Sequence, residues 1–152
     1  MNIFVLDNDI KKAAQYHADK HVVKMVLETA QIMSAVVRIS GIDEGYRLTH
    51  KNHPCTKWAR ESLSNWRWLY DLGFWLNIEY RYRYNHSINH KSFDVIDNLP
   101  EPDIEDIGLT PFAQAMPEEC KDNDAVKAYR AYYIQEKSHL FKWTKRDIPQ
   151  WI

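Results

Sequence analysis

The stretch Tyr16-His-Ala-Asp-Lys-His-Val-Val-Lys-Met-Val-Leu-Glu28 decides the fold of this chain. Its apolar residues recur with helical spacing and continue to about Ser40, which predicts a long and largely buried helix. The polar residues follow the first of them at offsets of 4, 7 and 11 and therefore share one narrow stripe, formed by His17, His21, Lys24 and Glu28. Two imidazoles, an amine and a carboxylate in one row suit general acid–base chemistry, and a solvated face of an amphipathic helix is the alternative.

Length and composition favour a single helical domain over residues 1–152. The chain has 152 residues with only 4 glycines, and its longest periodic segments have the period of a helix. We therefore expect an all-α fold, a compact single-domain bundle of about three main helices with long polar loops. The long helices are expected over residues 10–40, 54–84 and 125–139, with a short helix over 90–99, a possible bend near Gly73, and a short strand or extended segment at Asn2 to Leu6.

Several protein classes are disfavoured by the same sequence. No run of about 18 apolar residues is present, so we expect no membrane partner. The first residues lack the basic region of a signal peptide, and two cysteines form no disulfide framework, which together favour the cytoplasm. Neither Cys55 nor Cys120 lies in a metal-type spacing, and we expect no cofactor.

Charge is distributed unevenly along the chain. Residues 94–126 carry ten acids and one base, whereas the rest of the chain has a net charge of +8. A basic body with an acidic insert fits either a polyanion-binding surface or pairing between the two parts. If nucleic acid is the partner, binding should weaken steeply with salt.

Three further polar clusters are candidates for binding a phosphate or a nucleotide. Thr49 to Cys55 precedes a helix that begins near Pro54, and the free N–H groups of such an end attract anions. Tyr80 to Ser92 interleaves arginines with tyrosines, as in surfaces that hold a backbone and stack on bases. Residues Ala128 to Lys137 place a third cluster on one helix face. The candidate residues are His50, Lys51, Asn52, His53, Arg81, Arg83, His90, Lys91, Arg130, Tyr133 and Lys137. Capping turns, core tyrosines and solvated charges are the alternative interpretation of all three clusters.

Histidine pairs with helical spacing raise the question of a metal. His17 with His21 and His86 with His90 are separated by four residues, a spacing that chelates zinc in some helices. The glutamate that usually follows the first histidine is replaced by Ala18, and few carboxylates lie near either pair. We therefore assign no metal ligands and keep a metal-dependent hydrolase as a minor alternative.

Several motifs carry a resemblance to known families. Tyr16-His-x-Asp-Lys-His-Val-Val-Lys, Thr49-His-Lys-Asn-His-Pro-Cys, His90-Lys-Ser, Thr110-Pro-x-x-Gln-Ala-Met-Pro and Ala128-Tyr-Arg-x-Tyr-Tyr together resemble a family of small phage-encoded proteins, mostly uncharacterised. The order of a polar first helix, a His-Pro segment that opens a long helix, and an aromatic-basic stretch is also similar, more remotely, to the pyrimidine-dimer DNA glycosylases of the endonuclease V type.

The second resemblance implies a compact all-α enzyme that flips a base out of bent DNA and attacks the sugar carbon with an N-terminal amine. By this resemblance the nucleophile is the amine of Met1 or, alternatively, that of Lys24. Asn2 in the second position disfavours removal of Met1, so we expect Met1 to be retained. Glu28 is the assisting carboxylate by type, and His21 lies closer to its expected position. Lys20 and Lys24 are implied as phosphate contacts.

The residues and the resemblance together favour an enzyme that acts on DNA or on a nucleotide. Most concretely, we expect a DNA glycosylase and AP lyase for damaged or modified bases, with Met1, His21, Lys24 and Glu28 as catalytic groups. His17, Lys20 and the residues of the three clusters would bind substrate, with Tyr133 or Trp143 stacked on a flipped base. A nucleotide-processing enzyme and a non-catalytic phage protein that binds a nucleotide or blocks a host defence are the alternatives; a phage origin would place the protein in the host cytoplasm. All of these hypotheses require the polar clusters to converge in space.

Overall fold

The computed structural model describes all residues from Met1 to Ile152 and contains helices but no strand. Six α-helices follow one another along the chain: α1 (Ile10–Tyr16), α2 (Asp19–Ile39), α3 (Pro54–Ala59), α4 (Leu63–Arg83), α5 (Lys91–Asn98) and α6 (Ala125–Lys137). Two 3₁₀ turns, Glu118–Cys120 and Ser138–Leu140, complete the secondary structure. None of these helices combines the length and the apolar character that a membrane crossing requires. The all-α prediction is confirmed, whereas about three main helices is an undercount.

The undercount arises because two of the expected long helices are interrupted by tertiary hydrogen bonds. Between α1 and α2 the chain becomes extended at Ala18, where the backbone N–H donates to the hydroxyl of Tyr133 at 2.9 Å. Between α3 and α4 it becomes extended at Ser62, and the N–H of Leu63 donates to the carbonyl of Glu105. Both partners are more than 40 residues away in sequence, so local periodicity carries no sign of either break.

Gly73 does not bend the chain and lies inside α4. A Cβ atom at this position would meet Ile96 Cδ1 at 2.9 Å, so the missing side chain is what lets α5 pack closely on α4. The short helix expected near residues 90–99 is confirmed as α5, and the last long helix is confirmed as α6.

Helices α2 and α4, each 21 residues long, form the centre of the bundle. Their buried faces meet with side chains such as Met33, Leu69 and Leu76, and the remaining helices pack around this pair. Residues Asn2 to Leu6 run through the core as an extended segment without strand pairing, and every one of them is buried. This burial fixes the position of Met1 in the fold, and the candidate site depends on that position.

A buried ionic cluster joins α4 to the start of α2 and to the C-terminal tail. The guanidinium of Arg83 is fully buried and contacts carboxylate oxygens of Glu79 at 2.8 Å and Asp19 at 3.2 Å. Arg146 of the tail donates to the other oxygen of Glu79 at 2.6 Å. Burial opposes ionisation of Asp19, but hydrogen bonds from Thr144 and Arg83 outweigh it and lower the pKa of this carboxyl.

Removal of Arg83 should therefore destabilise the fold strongly. We expect Arg83→Ala to lower the free energy of unfolding by about 3 to 5 kcal/mol, because it removes the buried guanidinium shared by two buried carboxylates and leaves them only Arg146 and Thr144 as partners. Arg81→Ala is the matched control, since Arg81 lies on the same helix but is exposed. Urea denaturation measures both variants, and an equal small loss of about 0.5 kcal/mol in each would contradict a stabilising role for the cluster.

Candidate active site

The α-amine of Met1 and the carboxylate of Glu28 form an ion pair. The amine nitrogen lies 3.1 Å from Glu28 Oε1. Met1 as a residue is partly exposed although its side chain is only 2% exposed, so the exposed part is the main chain that carries the amine. The side chain of Glu28 is 10% exposed. A primary amine and a carboxylate are thus presented together at the rim of the core.

The buried N-terminal segment holds this amine in place. Asn2 donates from Nδ2 to the carbonyl of Ala115 at 2.9 Å, and its Oδ1 accepts from the N–H of Ile3 at 2.8 Å. The same oxygen accepts from the hydroxyl of Tyr129 at 3.4 Å. Thr56 Oγ1 of α3 lies 3.9 Å from the sulfur of Met1. The carbonyl of Ala115 and the side chains of Thr56 and Tyr129 therefore position the first two residues.

The loop that precedes α3 lies beside the amine. His53 caps α3 by accepting from the N–H of Cys55 at its Nδ1 atom, which leaves the ring proton on Nε2. Partial burial, the Met1 amine and His50 together lower the pKa of His53, and Glu28 partly offsets them. His53 is consequently neutral near pH 7 and belongs to the neighbourhood of the ion pair. The other predicted residues of this loop, His50, Lys51 and Asn52, are exposed.

The outer face of α2 carries two lysines toward Glu28. Lys20 and Lys24 are exposed, and helical spacing aligns them with exposed Leu27 and half-buried Gln31. The exposure of Lys24 argues against a desolvated amine at this position, so its predicted role as an alternative nucleophile lacks the environment that would activate it. A contact with phosphate remains compatible with both lysines.

His17 and His21 do not lie on a solvated stripe, because His17 ends α1 inside the core and the side of α2 that carries His21 faces the core. Nδ1 of His17 donates to the carbonyl of Ala13 at 2.6 Å, and Nδ1 of His21 lies 2.9 Å from the hydroxyl of buried Tyr133. Burial lowers the pKa of His17 to about 4 and that of His21 to about 3, the latter with help from His17 and Lys137. Burial also raises the pKa of Tyr133. The expected contacts of His17, His21 and Tyr133 with substrate therefore need correction, since these groups fill the core.

Two of the predicted phosphate-binding arginines also have structural partners. Arg83 belongs to the buried ionic cluster described above. Arg130 donates to the carbonyl of Leu6 and to Asp7 Oδ1, each at 2.8 Å, and its guanidinium lies 5.2 Å from the ring centroid of Trp151. These placements argue against both arginines as phosphate contacts.

The remaining predicted binding residues lie elsewhere. His90 caps α5 by accepting from the N–H of Ser92, Lys91 and Arg81 are exposed, and Lys137 lies over the ring of Tyr132 at 5.4 Å. Nowhere does the structure bring three or more His, Cys, Asp or Glu side chains into a group that could hold a metal ion. The buried thiol of Cys55, whose pKa burial raises to about 11, is unreactive beside the site.

Convergence of the four clusters is therefore only partial. The structure gathers Met1, Glu28 and His53, with Lys24 and Lys20 along the same helix, and keeps Arg130 and the two core histidines apart from them. The residues that the sequence did not reveal are the supports of the amine: Asn2, Thr56 and Tyr129. The one available signal was a polar Asn2 at the head of an otherwise apolar segment that we expected to be buried.

One of the comparisons with known proteins identifies a family. The family described as "Pyrimidine dimer DNA glycosylase" matches residues 1–92, which are more than half of the chain and include the Met1 and Glu28 pair and the His53 loop. The chain belongs to this family, and the remote resemblance seen in the sequence is thereby confirmed. No curated protein and no solved structure matches the chain significantly.

The two core histidines should make the fold sensitive to acid. The unfolded chain takes up protons on them below about pH 6.5, whereas the folded chain does so only near pH 4 and pH 3, so stability falls as the pH decreases across this window. We expect a loss of about 2 to 4 kcal/mol between pH 7 and pH 5. Urea denaturation at pH 7, 6 and 5 measures this loss.

The substitution His21→Gln should reduce the pH dependence, since it removes one of the two groups that titrate. His86→Gln is the matched control, because His86 is exposed and should leave the full loss in place. Equal pH dependence in the wild type and in His21→Gln would contradict the assignment.

Proposed function

We propose that this protein is a DNA glycosylase and AP lyase that removes a damaged pyrimidine and then cleaves the strand. The observation that carries the proposal is the Met1 amine held 3.1 Å from Glu28 at the surface. Membership of the pyrimidine dimer DNA glycosylase family supports DNA as the substrate. We infer the lyase step from the chemistry of an amine nucleophile. We infer the damaged pyrimidine from the family's description.

In the first step the lone pair of the Met1 amine attacks C1′ of the damaged nucleotide. A bond forms between nitrogen and C1′, and the glycosidic bond breaks, with its electron pair leaving on the base, which takes up a proton. Loss of a proton from nitrogen and opening of the sugar ring then give an iminium linkage between protein and DNA. A neutral amine is required for the attack, so a neighbouring group must accept its proton.

Glu28 is the group placed to accept that proton. Its carboxylate lies within hydrogen-bond distance of the amine before the reaction and can return the proton to the ring oxygen or to the leaving base. The same carboxylate stabilises the positive charge that develops at C1′ and on the iminium nitrogen. His53 is neutral with a proton on Nε2, so it can donate a hydrogen bond to the sugar or to a phosphate oxygen.

In the lyase step a base removes a proton from C2′ of the iminium-linked sugar, and the C3′–oxygen bond breaks to release the 3′ phosphate. Water then hydrolyses the imine and restores the free amine. Lys20 and Lys24 lie on the exposed face that leads to Glu28, where they can pair with phosphates of the bound strand. Lys51 and Asn52, which are exposed next to His53 in sequence, can supply further contacts to the strand.

Borohydride trapping tests the proposal directly, because the reagent reduces an iminium to a stable covalent link. We expect wild-type protein to form an adduct with ultraviolet-irradiated and abasic duplexes but not with undamaged duplex. Glu28→Gln should slow trapping on irradiated duplex by about 100-fold or more, the usual contribution of a positioned acid–base group. Glu44→Gln, an exposed glutamate outside the site, is the control and should behave as wild type.

Absence of any adduct and of strand cleavage with well-folded wild-type protein would overturn the proposal. It would leave binding of a nucleotide without turnover as the use of this site. Equal trapping rates for Glu28→Gln and Glu44→Gln would instead remove Glu28 from the mechanism.

A further inference from the structure

A second surface with the character of a nucleic-acid contact lies at the C-terminal end of α4. Two adjoining depressions of about 290 Å³ and 320 Å³ share Ile78 and Tyr82 in their walls. Arg81 and His86 line one of them, and Trp75 and Arg146 line the other. We call this region, formed by Ile78, Arg81, Tyr82 and His86, the Tyr82 surface.

Cations surround the Tyr82 surface. The guanidinium of Arg146 lies 4.5 Å from the ring centroid of Tyr82, and the amine of Lys145 lies 5.1 Å from it. On the far side, Lys11 lies 5.1 Å from the ring of Trp75. The one carboxylate that lines the two depressions, Glu79, is already bonded to Arg83 and Arg146. The surface therefore carries a net positive charge, which complements a polyanion.

Flat rings are left in water at the same place. Tyr82 is 44% exposed and Tyr84 is 40% exposed, and Ile78 adds apolar surface beside Tyr82. The ring of His86 is exposed and stacks on Tyr80, with centroids 4.6 Å apart and planes 20° apart. Aromatic rings alternating with cations bind the bases and phosphates of nucleic acid through stacking and charge together.

Helix α2 connects this end of α4 to Glu28. The hydroxyl of Tyr84, which follows the Tyr82 surface along the chain, donates to the backbone carbonyl of Asp19, at the first turn of α2. Glu28 lies nine residues further along the same helix, a rise of about 14 Å. Lys20 and Lys24 are exposed between Asp19 and Glu28.

We propose that the Tyr82 surface binds the DNA duplex on one flank of the damaged nucleotide. Arg81 donates to the carbonyl of Ser87 at 2.9 Å but is exposed and has no carboxylate partner, so its remaining N–H groups can contact a phosphate there. His86 and Tyr82 offer their rings to the backbone and to any base that leaves the stack. The location of the flank rests on the proposed function, since it assumes that the damaged nucleotide lies at Met1. The binding test itself needs no turnover.

The experiment measures fluorescence anisotropy with duplexes that carry a tetrahydrofuran abasic analogue, which is bound but not cleaved by an imine mechanism. Arg81→Ala and His86→Ala should each weaken binding by about fivefold to tenfold, the lower range for one stacked or phosphate contact. Arg81→Ala should also lower the slope of the salt dependence by about one. Arg67→Ala is the matched control, because Arg67 is an exposed arginine on α4 that pairs with Glu101 on the acidic side.

Trimming the duplex locates the contact. For wild-type protein, stepwise shortening of one flank should weaken binding once the Tyr82 surface loses its contact, and the two variants should be insensitive to the same trimming. Circular dichroism checks that Arg81→Ala and His86→Ala remain folded. Binding equal to wild type, or a loss equal to that of Arg67→Ala, overturns the proposal.

Borohydride trapping at saturating abasic duplex separates this result from the proposed chemistry. Trapping that persists in Arg81→Ala while anisotropy shows weaker binding supports a flank contact. If the wild type forms no adduct but the anisotropy result stands, the surface binds DNA and the glycosylase mechanism fails.

Discussion

Burial of the five residues from Asn2 to Leu6 is the constraint on which the candidate site depends. This extended segment runs through the core between helices, and its burial fixes the position of Met1. Asn2 satisfies its polar side chain with the carbonyl of Ala115 and the N–H of Ile3, so the segment is fixed in register as well as in depth. The Met1 side chain completes the packing, and the amine can then only face Glu28. A group at the end of a chain is normally mobile, and here tertiary packing gives it the precision of a side chain on a helix.

The polar groups of this protein divide into two sets with different physical environments. His17, His21, Arg83 and Arg130 are buried or have internal partners, and their hydrogen bonds join α2, α4, α6 and the N-terminal segment. Lys20, Lys24 and Lys51 remain in water, where side chains can meet a polyanion without losing an internal partner. Glu28 lies between the two sets, largely buried but still partly accessible. Part of the acidic segment pairs with Arg67 through Glu101 and Asp106.

The sequence predicted the helical class, the buried N-terminal segment, α5 and α6, because hydrophobic periodicity is a local property. It predicted neither the interruption at Ala18 nor that at Ser62, because those breaks depend on Tyr133 and Glu105 far along the chain. Of the predicted stripe, His21, Lys24 and Glu28 lie on α2, whereas His17 lies before the interruption and caps α1. Helical spacing also does not say which part of a face meets solvent, and the stripe passes from the core at His21 to the surface at Lys24. The expectation that Glu28 assists the Met1 amine came from the family resemblance, because no pattern in α2 points to the first residue.

Peptide mapping of the borohydride-trapped complex tests whether the Met1 amine is the nucleophile. After trapping on abasic duplex and digestion of protein and DNA, mass spectrometry identifies the residue that carries the reduced sugar. We expect the reduced sugar to be attached to the α-amine of Met1, in a peptide whose lysines are all unmodified. An adduct on Lys24, or on any other lysine, would contradict the assignment of the buried N-terminal segment as the device that supplies the nucleophile.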